Sequence, residues 1–163
     1  MGILINKSDF IGDYELAKNG QDNIDLFIQK YEQQVLSQLF GSALLVLFQN
    51  DLVNKIPASQ IYKDIYDPFV KEIECTNVDY IGLKEMVLAY VFFYYSRKNP
   101  IKSGVNGAVV NQTEVSSQSN KTFLLGYYNR AVRAYKIARY LLKISPEVYP
   151  TYAGIDKEYT SIL

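Results

Sequence analysis

At 163 residues, 48% apolar and 21% charged, the chain is long enough for one hydrophobic core in one domain, 1–163, and too apolar to be disordered. Its 17 Lys and Arg balance 17 Asp and Glu, so no global field draws it to nucleic acid or anionic lipid. Histidine is absent and Cys75 is the single cysteine, which excludes Ser-His-Asp and Cys-His catalysis, an intrachain disulfide and a cysteine zinc cluster.

In chain order, Met1 to Gly20 is short and irregular. Ile3, Leu4 and Ile5 read as a short strand or an arm, Ser8 and Asp9 can cap a helical turn, and Asn19-Gly20 is a turn signal. Lys7 and Asp9 interrupt the apolar start far short of a signal-peptide core. Asp22 is an N-cap candidate for the first strong helix. Ile24, Phe27, Ile28, Tyr31, Val35, Leu39 and Phe40 recur at three- and four-residue steps, with Asp25, Lys30, Glu32, Gln33 and Gln34 on a wetter side. Gly41 stops that helix and Ser42 starts another, to about Asp51. Leu44 to Phe48 is apolar all round, which predicts deep burial.

Pro57 breaks the chain, Ser59 restarts it, and a short helix runs to Tyr66 before Pro68. Phe69 to Thr76 fits no single pattern, and Asn77 or Asp79 can cap the next helix, about Tyr80 to Lys98. Leu83, Met86, Val87, Tyr90, Val91 and Tyr94 are its inner stripe. The apolar stretch Met86 to Tyr95 is too short to span a bilayer, so no membrane is expected. Segment 100–120 is rich in Gly, Ser, Asn, Gln and Val, and Asn106-Gly107 between Val105 and Val109-Val110 is a hairpin signal. An insertion of that length predicts a protruding hairpin-like loop with its partner outside the subunit. The last helix runs from about Lys121 to Ile144, with Leu124, Tyr128, Ala131, Tyr135, Ala138 and Leu142 on one face. Ser145-Pro146 ends it, and 145–163, with Tyr149, Tyr152, Ile155 and Tyr159, reads as an extended tail on this protomer or a neighbour. The expected fold is mainly α: about four helices in a small bundle, a hairpin-like loop and extended terminal arms.

No chemistry assembles from these residues. There is no phosphate-binding Gly-rich loop and no dinucleotide fingerprint, and Glu72 and Glu74 do not share a helix face. No catalytic residue, metal ligand or cofactor is expected, and the chain reads as a non-enzyme. The basic last helix has two readings. Arg130, Arg133 and Arg139, interleaved with Tyr127, Tyr135 and Tyr140, suit a nucleic-acid backbone, or they suit acids on a neighbouring protomer. Phe92-Phe93-Tyr94-Tyr95 covers every side of one helical turn. Either another subunit covers its outer side, or the second helix and the tail do.

The order of features resembles the head–tail connector, or head-completion adaptor, proteins of tailed bacteriophages, of the type found in phages and prophages of Bacteroidetes. The resemblance lies in Asp9-Phe10-Ile11-Gly12 before the helix with Tyr31-Glu32 and the Leu39-Phe40-Gly41 turn into Leu44 to Phe48. It continues in Tyr66-Asp67-Pro68-Phe69 leading to Gly82-Leu83-Lys84-Glu85-Met86, and in the Gly104 to Val110 hairpin with polar Thr113 to Ser119. Tyr127-Tyr128-Asn129 and Tyr149-Pro150-Thr151-Tyr152 complete it, so it covers nearly the whole chain. It implies a virion neck protein assembled in the host bacterial cytoplasm. It implies a homo-oligomeric ring, typically a dodecamer, that docks on the portal and the next neck or tail component while DNA passes without sequence-specific binding. Val105, Asn106, Gly107, Val109, Val110, Tyr149, Tyr152, Ile155 and Tyr159 are the expected partner contacts. Arg130, Arg133 and Arg139 are expected at a subunit or DNA-channel surface. The alternatives are a small helical nucleic-acid-binding or regulatory protein using the last helix, and an enzyme using carboxylates or tyrosine.

Overall fold

In the computed structural model, which describes residues 2–16, 23–73, 76–99 and 114–152, helices dominate and two short antiparallel strand pairs accompany them. The first helix runs as α1 (Ile24–Phe27), a π-helical turn (Ile28–Glu32) and α2 (Gln33–Asn50), and α2 is two helical segments joined across a kink at Gly41. Gly41 sits inside it at φ 73°, a left-handed conformation that glycine adopts without a Cβ penalty, and the helix changes direction there. The stop read from the sequence at Gly41 is present, and the second helical segment follows at once across the kink.

A tight two-stranded turn follows, β1 (Leu52–Val53) against β2 (Ile56–Pro57), with Asn54 and Lys55 both at positive φ. α3 (Gln60–Tyr66) begins after Ser59 and ends before Pro68, as its flanking residues dictate. The ambiguous stretch after Pro68 is a strand, β3 (Phe69–Ile73), paired with β4 (Thr76–Tyr80). The expectation that Asn77 or Asp79 caps a helix is thus corrected. Asn77 and Asp79 are exposed while Val78 and Tyr80 turn inward, which is strand periodicity, and Phe69 meets Tyr80 across the pair with ring centroids 5.1 Å apart. Gly82, at φ 86°, makes the corner into α4 (Leu83–Lys98); a Cβ there would lie 2.9 Å from the Tyr66 carbonyl oxygen.

α4 is the central element. It packs mostly on α5 (Glu114–Ile144), and both also meet the first helix. α5 begins seven residues before the expected Lys121, so 114–120 is helix and not part of an insertion. No Gly or Pro lies between Thr113 and Gly126, so nothing in that polar stretch stops a helix. The expected hairpin residues Val105, Asn106, Gly107, Val109 and Val110 lie outside the described residues, as do Asn19, Gly20, Asp22, Cys75, Ile155 and Tyr159.

The N-terminal segment and the described start of the tail, up to Tyr152, both pack on their own chain. The N-terminal segment is inside: Leu4 and Ile5 are fully buried. The start of the tail is a compact turn, with Val148 and Tyr149 N–H donating to the Ser145 carbonyl at 3.0 Å and Tyr152 N–H to that of Tyr149 at 3.0 Å. The aromatic run on α4 is also covered by its own chain. Phe92, Phe93 and Tyr95 are buried and Tyr94 is half-buried. Tyr14, Phe27, Tyr31, Tyr127 and Tyr128 supply the covering rings, with Tyr31 stacked on Tyr94 at 4.3 Å and Tyr127 tilted against Phe92 at 4.7 Å. The cover comes from the N-terminal segment, the start of the first helix and α5, not chiefly from the second helix and the tail.

Candidate functional site

The N-terminal segment is held by a buried acid. Glu32, expected on a wet side, is 1% exposed. The π-helical turn carries it inward, where its carboxylate accepts N–H groups from Ile3 (2.6 Å), Leu4 (2.6 Å) and Ile5 (3.1 Å). Burial pushes this carboxyl above the usual range, against the three N–H groups and Lys55, which pull it down. Lys55 reaches back from its turn to the Ile5 carbonyl at 2.8 Å and the Asn6 side-chain oxygen at 2.6 Å. Asp9 closes the segment, accepting from Asn6 N–H at 2.7 Å and pairing with Lys84 at 2.7 Å. These bonds satisfy backbone groups that would otherwise be orphaned in the core, so their role is structural.

Two surfaces remain open to partners. The first is the outer side of α5. An open groove of about 600 Å³ is lined by Asp79, Ile81, Gly126, Asn129, Arg130, Arg133 and Ala134. The Arg130 guanidinium sits 2.5 Å from the Glu85 carboxylate, to which the Tyr14 hydroxyl donates at 3.2 Å. Burial, then Glu85, pushes the Tyr14 hydroxyl well above its ordinary range, so it remains a donor. Arg133 is exposed on the same face, whereas Arg139 is half-buried on the flank toward the core. The three arginines read together from the sequence thus occupy different surroundings: one ion-paired within the chain, one open and one flanking.

The second surface is the distal half of α2. All 18 residues of α2 are uncharged. Leu44, Leu45 and Phe48 are buried, with Phe48 stacked on Phe40 at 4.8 Å. Ala43, Val46 and Leu47, expected to be deeply buried, face outward instead. One helix face suffices for the core, and no described element covers the other. Val53 and Ile56, in the turn that follows, are exposed as well.

Of the expected partner contacts that are described, Tyr149 is a core residue of its own chain. It is buried, its hydroxyl donates to the Ile61 carbonyl at 2.5 Å, and its ring lies 6.4 Å from Tyr62. Tyr152 is half-buried against the same core. Beside them an open groove of about 470 Å³ runs between α3, β3 and the end of α5, where Ile144 and Val148 are exposed. Among the described residues no three acidic or thiol groups come together as metal ligands, and no helix is long and apolar enough to cross a membrane.

Compared with protein-family models, with curated proteins and with solved structures, the chain matches none. Its own surfaces therefore carry the functional argument.

Proposed function

We propose that this chain is a structural subunit that associates with copies of itself into a ring, a head–tail connector in the neck of a tailed bacteriophage. In this reading the ring docks on the portal and on the next neck or tail component, around the channel through which DNA passes, and it performs no catalysis. The observation that carries the reading is the uncharged outer face of α2, where Ala43, Val46 and Leu47 are exposed. Depletion of charge at an apolar surface is what the core of a protein–protein interface requires. A contact between unlike faces, repeated around a closed symmetry, sums modest interfaces into one stable collar. The ordered resemblance of the sequence to connector proteins supplies the ring and its place in the neck.

Electron microscopy of the purified chain at high concentration, alone and mixed with portal rings, tests this. Closed rings with a central opening, free or seated on the portal, are the expected result. Only compact single particles in both samples would overturn it.

A further inference from the structure

The outer face of α5 carries an array of cations that the packing of the fold leaves facing solvent. An α-helix turns about 100° per residue. On that wheel the buried residues Ala131, Ala134, Tyr135, Ala138 and Leu142 share one side. Gly126, Asn129, Arg133, Lys136 and Lys143 share the opposite side, with Arg130 at its edge. Arg133, Lys136 and Lys143 are exposed. From Thr122 to Ile144 the helix has five basic residues and no acidic one, in a chain whose net charge is zero. The acids that face it come from other elements. Glu85 on α4 neutralises Arg130, and Asp79 on β4 stands in the far wall of the groove. Arg133 and Lys136 make no ion pair among the described residues. At Gly126 nothing lies within 4 Å of a would-be Cβ, so the groove end is open to an extended ligand.

We propose that this face of α5 is a contact surface for the phosphodiester backbone of nucleic acid, with Arg133 and Lys136 as its cations and Arg130 held at its edge by Glu85. The array is linear and shallow. Between Arg130 and Lys136 the helix advances about 9 Å, the scale of a few successive phosphates, and the groove beside them is open. A duplex carries about one charge per 1.7 Å of axis, denser than an acidic peptide, and it is bound through evenly spaced point cations without base contacts. The surface therefore reads backbone and not sequence. The inference stands whether or not the chain forms a ring, since one protomer carries the whole array.

The test is fluorescence anisotropy of a labelled random-sequence duplex with the full chain, across a series of salt concentrations. With about two phosphates neutralised, log K should fall against log salt with a slope of about −1.8. The Arg133→Gln/Lys136→Gln variant should lower the slope by about 1.8 and weaken binding at every salt concentration. Lys71→Gln, which removes an exposed cation lying over the Phe69 ring on β3, should leave both unchanged. Thermal melts of the variants, whose changes are confined to exposed side chains, establish that the fold is intact. No binding at low salt, a slope indifferent to Arg133 and Lys136, or equal binding of polyglutamate in place of DNA would each overturn the proposal.

Discussion

The Glu32 carboxylate accepts the backbone N–H of Leu4 at 2.6 Å, joining residues 28 positions apart in a fully buried contact. With Ile3 and Ile5 bound to the same group, one side chain on a π-helical turn fastens the N-terminal segment into the core. Glu32→Ala leaves two buried donors and one half-buried donor without their acceptor. At about 1 kcal/mol or more for each, the variant should lose roughly 3 kcal/mol of stability, read from urea unfolding. A loss under about 0.5 kcal/mol would contradict the role given to Glu32.

The same carboxylate sets a pH dependence whose sign is opposite to the common one. Burial raises its folded-state pKa above the unfolded value, so the native state holds the proton more firmly. Stability from this group is therefore greatest at and below the ordinary carboxylate pKa and falls as pH rises through the folded pKa. The stability difference between wild type and the non-titrating Glu32→Gln should thus favour wild type more at about pH 5 than at about pH 8. Asp51 provides the contrast. Hydrogen bonds from the Ser59 hydroxyl and N–H lower its pKa, so its contribution is present above the ordinary carboxylate pKa and is lost as pH falls through the folded one. Urea midpoints across pH for Glu32→Gln and Asp51→Asn should move in opposite directions relative to wild type.

Two glycines should respond to alanine with opposite signs. At Gly82 the positive φ and the Tyr66 carbonyl 2.9 Å away make a Cβ costly, by about 1–3 kcal/mol. At Gly126, inside α5 with open space beside it, alanine should stabilise by about 0.5–1 kcal/mol through helix propensity alone. Thermal melts of the two single variants give the comparison, and the same sign for both would contradict the backbone geometry described.

The Arg130–Glu85 pair is close, at 2.5 Å, but its side chains are 42% and 38% exposed. Water and salt screen such a pair, so a double-mutant cycle with Arg130→Gln and Glu85→Gln should return no more than about 1 kcal/mol of coupling. A larger value would mean that Tyr14 and Glu85 form a tighter network with Arg130 than their exposure indicates.

Helical periodicity made most of the fold legible in advance. The spacing of Ile24, Ile28, Tyr31 and Val35, the stop at Gly41, the short helix before Pro68 and the inner stripes of α4 and α5 all follow from three- and four-residue repeats and local breakers. What periodicity missed depends on contacts distant in sequence. Glu32 reads as a surface residue because its three partners arrive from the start of the chain. The β3–β4 pair hid behind polar Asn77 and Asp79, which read as helix caps although they alternate with inward Val78 and Tyr80. The rings covering Phe92 and Phe93 come from Tyr14, Tyr127 and Tyr128, and no local rule identifies a cover supplied from both ends of the chain. For the candidate surfaces, the basic run on α5 was visible as composition. The division of its arginines into paired, open and flanking required the position of Glu85. The outward face at Val46 and Leu47 was masked because an all-apolar stretch carries no mark of which side the core will take.

Self-association through that outward face is tested by sedimentation velocity of wild type beside Leu47→Glu. Leu47 is 48% exposed, so a charge there should spare the fold while placing an unpaired carboxylate inside any interface built on this face. Wild type is expected to sediment as a multi-subunit species that grows with concentration, and Leu47→Glu as a folded single chain of 18.7 kDa. Wild type at the single-chain mass throughout, or an assembly that Leu47→Glu leaves intact, would contradict it.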